Sequence, residues 1–229
     1  MSASEVPIQP AATVLCLRNG QHGVEVLLVR RNSKLVFHGG AWVFPGGRVD
    51  RADAGLGMAD GALFEENAAR AAAAREAREE TSLGLDAESL IPLSHWTTPP
   101  GFPRRFSTWF FVADARGGEV AVDQGEIDAH WWSTADAAIA RRAEGEIELP
   151  PPTFVSLAWL SQMPSVEDVQ AAARAAPVER YLPRPVRTPE GVVSLYEGDS
   201  GYRTTDPNVA GSRHRLCMLQ SGWHYERDT

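Results

Sequence analysis

Residues 72–85 read AAAREAREETSLGL. The alanine run favours a helix, because alanine has the highest helix propensity, and this helix would carry Glu76, Glu79 and Glu80 at positions i, i+3 and i+4. Side chains at these spacings share one helix face, and like charges there destabilise an isolated helix by about 0.2–0.5 kcal/mol per pair. The stretch therefore predicts a helix with an acidic face that needs a compensating charge.

The segment upstream suggests what compensates this charge. The sequence WVFPGG at 42–47 ends in a glycine pair, which frees the backbone to turn sharply and to aim a carbonyl at a neighbour. Carboxylates together with a backbone carbonyl are the hard-oxygen ligands that Mg²⁺ or Mn²⁺ prefers. Taken alone, an acidic face of this kind is more often a solvated surface on which Arg75 and Arg78 pair with the acids. We favour the cation, because bound metal would relieve the repulsion among the glutamates.

The composition limits the classes of partner. The 229 residues carry a net charge of −8, which argues against a nucleic-acid surface but is compatible with small phosphorylated ligands that bind through metal cations. No window approaches 18 uninterrupted apolar residues, and the N-terminus lacks a secretory pattern, so no membrane span or export signal is expected. Cys16 and Cys217 lie in apolar stretches and are interpreted as buried reduced thiols, which fits a cytoplasmic location.

The pattern of apolar residues predicts a mixed α/β chain. Strands are predicted at 11–18, 24–31, 104–115 and 128–133, and helices at 61–82, 134–142, 153–162 and 165–175. Residues 92–103 are predicted to form a loop, and the tail beyond 177 to be extended, with two strands near 191–196 and 213–219. We therefore expect a core over residues 1–150 and a C-terminal helical and extended appendage, residues 151–229, that packs on it.

The quoted motifs resemble a known family. PGG…REAREETSL resembles the Nudix box, GX5EX7REUXEEXGU with U apolar. The resemblance implies an α/β/α sandwich with a mixed sheet and a Mg²⁺ or Mn²⁺ cofactor. It also implies functional residues, namely Glu76, Glu79 and Glu80 as metal-binding carboxylates, Glu76 and Glu79 also in catalysis, the Gly46 carbonyl as a further ligand, and Arg75 as the arginine that orients a glutamate by ion pairing.

This chain departs from the box at three points. Arg75 follows Gly47 by 28 residues (75 − 47), whereas the box has 14, so the chain carries a 14-residue insertion that we place at about 48–61. Counted back from Arg75, the first box glutamate falls on Asn67, and Ser82 replaces the second glycine. The expected ion-pair partner of Arg75 is thus missing. Inserted boxes resemble the coenzyme A diphosphatase-like branch of the family.

The substrate is predicted from a second pattern. The coenzyme A signature LLTXR(S/A)X3RX3GX3FPGG overlies residues 27–47 with its spacing intact, although Val29, Asn32 and Val36 differ from it. The resemblance favours coenzyme A or acyl-coenzyme A as the small-molecule nucleotide substrate, and ADP-ribose, NADH and nucleotide sugars remain open. A Nudix-fold module that binds a nucleotide without cleaving it is the alternative that Asn67 and Ser82 favour.

Several further residues are candidates for the site. Arg31, Arg104 and Arg105 would clamp phosphate oxygens, the alternative being that they only protect sheet edges. Phe106 would stack on an adenine, although strand aromatics are more often part of the core.

A loop acid and the histidines complete the sequence-based predictions. Glu126 resembles the extra acid that many Nudix enzymes use as ligand or base, with Asp123 and Asp128 as alternatives. His38, His95 and His130 lack the spacing of zinc ligands, so no zinc site is predicted from them. The oligomeric state stays open, and one alternative is a homodimer built by the insertion and the tail.

Overall fold

The computed structural model describes residues 6–32, 39–54, 62–115 and 118–228. Val36, His38 and the 55–61 part of the predicted insertion lie outside these ranges. The main sheet contains β1 (Ile8–Gly20), β2 (Gly23–Arg31), β3 (Trp42–Val43), β4 (Gly46–Arg48), β5 (Ile91–Thr97), β6 (Arg105–Asp114), β7 (Ile127–Thr134) and β8 (Glu179–Tyr181). The helices are α1 (Ala62–Thr81), α2 (Ala135–Ala143), α3 (Pro151–Leu160) and α4 (Val166–Ala175). A second sheet contains β9 (Arg184–Thr188), β10 (Gly191–Leu195), β11 (His214–Leu219) and β12 (Gly222–Arg227).

Strand β1 organises the main sheet, which is mixed. It runs parallel to β6 and antiparallel to β2 and β4, while β8 adds in parallel at the edge of β5. Because successive strand residues point to opposite faces, Leu15 and Leu17 enter a core shared with α3 and α4, whereas Val14 and Cys16 enter a core shared with α1. Helices thus cover both faces, and the predicted α/β/α sandwich is confirmed.

Helix α1 lies close to the sheet because its buried face is made of alanine. Ala69, Ala72, Ala73 and Ala77 have no exposed surface, and small side chains allow two backbones to approach. The prediction of a helix at 61–82 is confirmed, with ends within one residue. Within the described ranges, none of the helices combines the length and apolarity needed to cross a membrane.

The prediction of a loop over 92–103 is wrong in its first half. Residues Ile91–Thr97 form β5, which pairs with β6 on one side and β8 on the other. Proline cannot donate a ladder hydrogen bond and is tolerated in strands mainly at edges and bulges. The β5–β6 register shifts between Pro92 and Ser94, so the proline sits at such an irregularity.

The C-terminal tail is more ordered than the sequence predicted. Two strands were expected near 191–196 and 213–219, and the structure adds β9 and β12 to form a four-stranded antiparallel sheet. Tyr196 and Leu216 from this region belong to the same buried cluster as Leu15 of β1. Residues of the tail therefore share a buried cluster with β1, and β8 extends the main sheet.

Ser82, which replaces the second glycine of the box, has a left-handed backbone. Its φ is 63°, and its N–H donates to the carbonyl of Arg78 as helix α1 ends. A residue with a Cβ in this conformation costs about 1–2 kcal/mol, which explains why glycine suits the position.

We therefore expect Ser82→Gly to stabilise the protein by about 0.5–1 kcal/mol, since loss of the surface hydrogen bond from its hydroxyl to Ala121 offsets part of the relieved strain. Urea unfolding curves measure this change. The matched control is Ser161→Gly at the end of α3, where φ is −61° and glycine should destabilise by about 0.5–1 kcal/mol. Equal destabilisation by both variants would contradict the strain at Ser82.

Candidate metal centre

The carboxylate of Glu80 is buried where α1 meets β4. The residue is 5% exposed, and its Oε2 accepts a hydrogen bond from the N–H of Gly46 at 2.9 Å. Burial raises the pKa of Glu80 to about 8, and the negative charges of Glu76 and Glu126 add to the increase. Desolvation and like charge together leave this carboxylate without full compensation by the protein.

Both glycines of the turn are required by close approaches. A Cβ on Gly46 would lie 2.3 Å from the carbonyl oxygen of Ala12. A Cβ on Gly47 would lie 2.3 Å from Oε1 of Glu76. The glycine pair therefore lets β4 pair with β1 on one side and admits a carboxylate on the other. Burial raises the pKa of Glu76 as well, against the opposing effect of its ion pair with Arg75.

The loop acid Glu126 faces this cluster. Its charge raises the pKa of both Glu76 and Glu80. The side chain of Asp123 holds the loop, because its carboxylate accepts from the backbone N–H groups of Gly125, Glu126 and Ile127 at 3.2, 2.9 and 2.9 Å. Of the two alternative acids, Asp123 therefore uses its carboxylate for hydrogen bonds to the backbone of its own loop.

The remaining alternative, Asp128, is also engaged. Its Oδ1 accepts from Nε of Arg30 at 2.6 Å. By contrast, Glu126 is exposed, and its backbone carbonyl accepts from the N–H of Asn32 at 2.8 Å. The geometry thus favours Glu126 over both neighbours as a fourth carboxylate of the site.

Arg75 joins the helix to the segment after the glycine turn. Its Nε and Nη2 donate to the two oxygens of Asp53, each at 3.0 Å. Its Nη1 donates to Glu76 at 3.0 Å and to Glu79 at 3.1 Å. The hydrogen bonds to Asp53 and the nearby charges hold the pKa of Arg75 above its ordinary value. Arg75 therefore orients two of the predicted metal ligands.

The partner of Arg75 was missed in the sequence. Counting back along the box led to Asn67, which is exposed and lies eight residues before Arg75 on α1, about 12 Å along the helix axis. Counting forward from Gly47 with the box spacing of five residues reaches Asp53, whose side chain is 5% exposed. The spacing was therefore present in the sequence, with the additional residues lying between Asp53 and Arg75.

Of the predicted phosphate-binding arginines, Arg31 lies near the carboxylates. Its positive charge lowers the pKa of Glu80 against the larger effect of burial. Its Nε is buried and has no hydrogen-bond partner among the described residues. A buried guanidinium donor without a partner is costly, so this nitrogen is available to an anionic ligand.

Arg104, Arg105 and Phe106 lie at another part of the sheet. Arg105 pairs with Ile8 of β1, whereas Gly46 pairs with Thr13, five residues farther along that strand, or about 17 Å. Arg105 is buried, and its Nε donates to the carbonyl of Thr98 at 3.1 Å. The structure does not bring these three residues to the glutamates.

The residues present fit a divalent cation. The carboxylates of Glu76, Glu79 and Glu80 on α1 and of Glu126 directly before β7 offer hard oxygen ligands. The alternative of a merely solvated acidic face fits poorly, because burial raises the pKa of Glu76 and Glu80. The Gly46 peptide contacts Glu80 through its N–H, and the role predicted for its carbonyl stays a prediction.

Comparisons with known proteins identify relatives of this chain. The acyl-coenzyme A diphosphatase NUDT19 of Gallus gallus is 33% identical over 137 residues, which cover 56% of this chain and 36% of that protein. The Homo sapiens protein of the same name is 36% identical over 115 residues, covering 48% and 31%. The chain thus spans about a third of the length of these two relatives.

A solved structure and a family model complete the comparison. The crystal structure of a NUDIX hydrolase from Alicyclobacillus acidocaldarius matches with a TM-score of 0.64 and 26% identity, covering 76% of this chain and 98% of that one. The model of the NUDIX domain matches residues 7–153, which include the glycine turn, Arg75 and all four carboxylates. The chain belongs to the Nudix family.

Proposed function

We propose that this protein is a divalent-cation-dependent hydrolase that cleaves the diphosphate linkage of a nucleoside diphosphate derivative. The observation that supports it most is that Glu76 and Glu80 lie against the Gly46–Gly47 turn and that the charge of Glu126 acts on both. Near them is the Nε of Arg31, which has no hydrogen-bond partner in the described part of the chain. Negative charge that the protein itself does not neutralise is suited to a cation, and the free guanidinium donor is suited to a phosphate oxygen.

The chain's own residues have distinct roles in this proposal. Bound by the carboxylates, Mg²⁺ or Mn²⁺ would neutralise phosphoryl oxygens and make a water more acidic. Arg31 donates to the diphosphate, and Arg75 holds the carboxylates of Glu76 and Glu79 in place. Glu79 and Glu126 are exposed, so either can accept the proton of the attacking water at a carboxylate oxygen.

We propose coenzyme A or acyl-coenzyme A as the substrate, giving adenosine 3′,5′-bisphosphate and a phosphopantetheine. The names of the two relatives and the partial signature at 27–47 support this choice. ADP-ribose, NADH and nucleotide sugars remain alternatives, because the carboxylates act on the diphosphate common to all of them. We further propose that the catalytic core is residues 1–150, that the appendage is residues 151–229, and that the location is cytoplasmic.

A nucleotide-binding module without activity is less well supported by the structure. Asn67 and Ser82 were the features in its favour. Asp53 supplies the ion pair that Asn67 lacks, and Ser82 adopts the glycine-like backbone of the box. Neither substitution removes a carboxylate from the site.

The substrate is tested with a panel of coenzyme A, acetyl-coenzyme A, ADP-ribose, NADH and a nucleotide sugar. Each is incubated with Mg²⁺ or Mn²⁺, with and without EDTA, and products are identified by mass. We expect metal-dependent cleavage of coenzyme A or its acyl form. Cleavage of another compound would support the same reaction with a different substrate. Binding of a compound without turnover of any of them would contradict the proposal that the protein is an enzyme.

We expect Glu79→Gln to lower turnover at least about 100-fold, the scale of losing one strong electrostatic contact in the transition state. Folding should be intact because Glu79 is exposed. The control is Glu65→Gln, an exposed acid in the first turn of the same helix, which should retain wild-type kcat. Activity of Glu79→Gln within tenfold of wild type would remove Glu79 from the catalytic residues.

The raised pKa of Glu80 predicts a pH-dependent stability in the absence of metal. Its pKa is about 8 in the folded protein against an ordinary value of 4.5, so the folded state holds the proton more tightly. The stability that this group contributes is present below about pH 4.5 and is lost as the pH rises through 8. Glu80→Gln should therefore be at least about 1 kcal/mol more stable than wild type at pH 8, with a much smaller difference at pH 5.

Urea unfolding in EDTA at both pH values measures this difference, and other titrating groups cancel between the two proteins. Added Mg²⁺ should raise the melting temperature of wild type more than that of Glu80→Gln, because bound cation stabilises the folded state. A stability difference that is the same at pH 5 and pH 8 would show that Glu80 is not held in an unfavourable environment.

A further inference from the structure

The second sheet presents two different faces. On the inner face, Leu216, Met218, Trp223 and Tyr225 belong to or pack against the main core. Cys217 lies between Leu216 and Met218 and therefore points to the outer face, together with Val193 and Leu195 of the neighbouring segment. None of the residues clustered on this outer face belongs to α1, so the following inference does not depend on the proposed function.

Three side chains with metal-binding atoms meet on the outer face. Cys217 of β11 and His224 of β12 are direct cross-strand partners, and Glu226 follows two residues later on the same face. The carboxylate Oε1 of Glu226 is 2.9 Å from Nε2 of His224 and 4.0 Å from Sγ of Cys217. One ligand atom from each of the three residues lies within 4.8 Å of the others. The β11–β12 hairpin thus holds one sulfur, one nitrogen and one oxygen around a common point.

We propose that Cys217, His224 and Glu226 form a zinc site. Thiolate, imidazole and carboxylate are the ligands of protein zinc, with bond lengths of about 2.3, 2.0–2.1 and 2.0–2.2 Å. Tetrahedral angles and these lengths require ligand atoms about 3.3–3.6 Å apart. The two separations that involve Glu226 need to change by about 0.5 Å, and the one between Cys217 and His224, which is within 4.8 Å, by at most about 1.3 Å. The mixed sulfur and nitrogen set selects Zn²⁺ over Mg²⁺, which prefers oxygen ligands alone.

The charge around the three residues supports a cation. Arg215 stands directly across from Glu226 in the β11–β12 register. Its Nε and Nη2 donate to Asp199 at 2.7 Å each, and its Nη1 donates to the carbonyl of Pro207 at 2.8 Å. The Asp199 carboxylate therefore takes two of the hydrogen bonds of Arg215, and the carboxylate of Glu226 is hydrogen-bonded to His224.

Binding has a defined proton balance. The thiol of Cys217 becomes a thiolate, so one proton leaves to the buffer for each ion bound. The imidazole of His224 must present Nε2 as an acceptor, so its proton resides on Nδ1. Two anionic ligands then neutralise one Zn²⁺, and the fourth position is left to water because the described residues offer three ligands.

A simpler interpretation is that His224 and Glu226 form an ordinary surface hydrogen bond above an inert thiol. The two interpretations differ in what Cys217 does. In the zinc site, the sulfur is a ligand, and its removal weakens binding as much as removal of the imidazole. In the simpler case, substitution of Cys217 has no effect on any metal ion.

The experiment is a zinc titration by calorimetry at pH 7.5 in two buffers of different ionisation enthalpy. Mg²⁺ at about 5 mM occupies the hard-oxygen carboxylates of α1 throughout. We expect one Zn²⁺ per chain with a dissociation constant of about 1 µM or lower, and release of about one proton per ion. Cys217→Ser and His224→Gln should each weaken binding at least tenfold, on the scale of losing one ligand.

The matched control is His22→Gln, an exposed histidine in the turn between β1 and β2, which should bind zinc as wild type does. Cobalt substitution gives a second readout, because a thiolate-to-Co²⁺ absorption band should be present in wild type and absent in Cys217→Ser. Since His224 is exposed, its variant tests the site even if Cys217→Ser fails to fold. No zinc binding by wild type, or equal binding by wild type and His224→Gln, would overturn the proposal.

Discussion

The close approach of α1 to the glycine turn is the contact on which the candidate site depends. An alanine-rich face lets the helix lie against the sheet, and Gly47 leaves room for the carboxylate of Glu76, whose Oε1 would lie 2.3 Å from a Cβ at that position. The same approach buries Glu80 against the N–H of Gly46. Tight packing, which stabilises the fold, therefore also removes two carboxylates from water and makes them unstable as bare anions. A bound cation would relieve the repulsion among the glutamates that the sequence predicts.

Arg75 explains how the site tolerates additional residues. Its two-point contact with Asp53 ties the end of the glycine turn to the middle of α1. This ion pair fixes the two ends of the segment that carries the additional residues, and the entropic cost of lengthening a chain segment with fixed ends grows only logarithmically, by about 0.6 kcal/mol per doubling. An insertion on either side of this ion pair would behave differently, because it would separate Gly47 from Asp53 or Arg75 from the glutamates. The position of the insertion matters more than its length.

What the sequence predicted well is what local chemistry determines. Alanine propensity places α1, Thr134 caps α2 as expected by accepting from the N–H of Ala137, and helical spacing brings the glutamates together. What it predicted poorly depends on contacts between distant segments. Strand β5 contains Pro92 and is held by neighbours on both sides. The box spacing reaches Asp53 when it is applied forward from Gly47 but Asn67 when it is applied back from Arg75, because the additional residues lie between Asp53 and Arg75.

The arginines that the sequence predicts as phosphate ligands lie in two different parts of the main sheet. Arg31 lies near the carboxylates, whereas Arg105 is bound to Thr98 and pairs with β1 about 17 Å along that strand from the pairing of Gly46. In the proposed function, cation and carboxylates together act on a diphosphate that many nucleotides share, so they would confer reactivity without choosing a substrate. A group at the Arg105 end of the sheet can only contact a part of the ligand far from the scissile bond. Selection of one nucleotide derivative over another must therefore rest on contacts outside the box. This explains why an intact carboxylate cluster identifies the reaction class more firmly than the substrate.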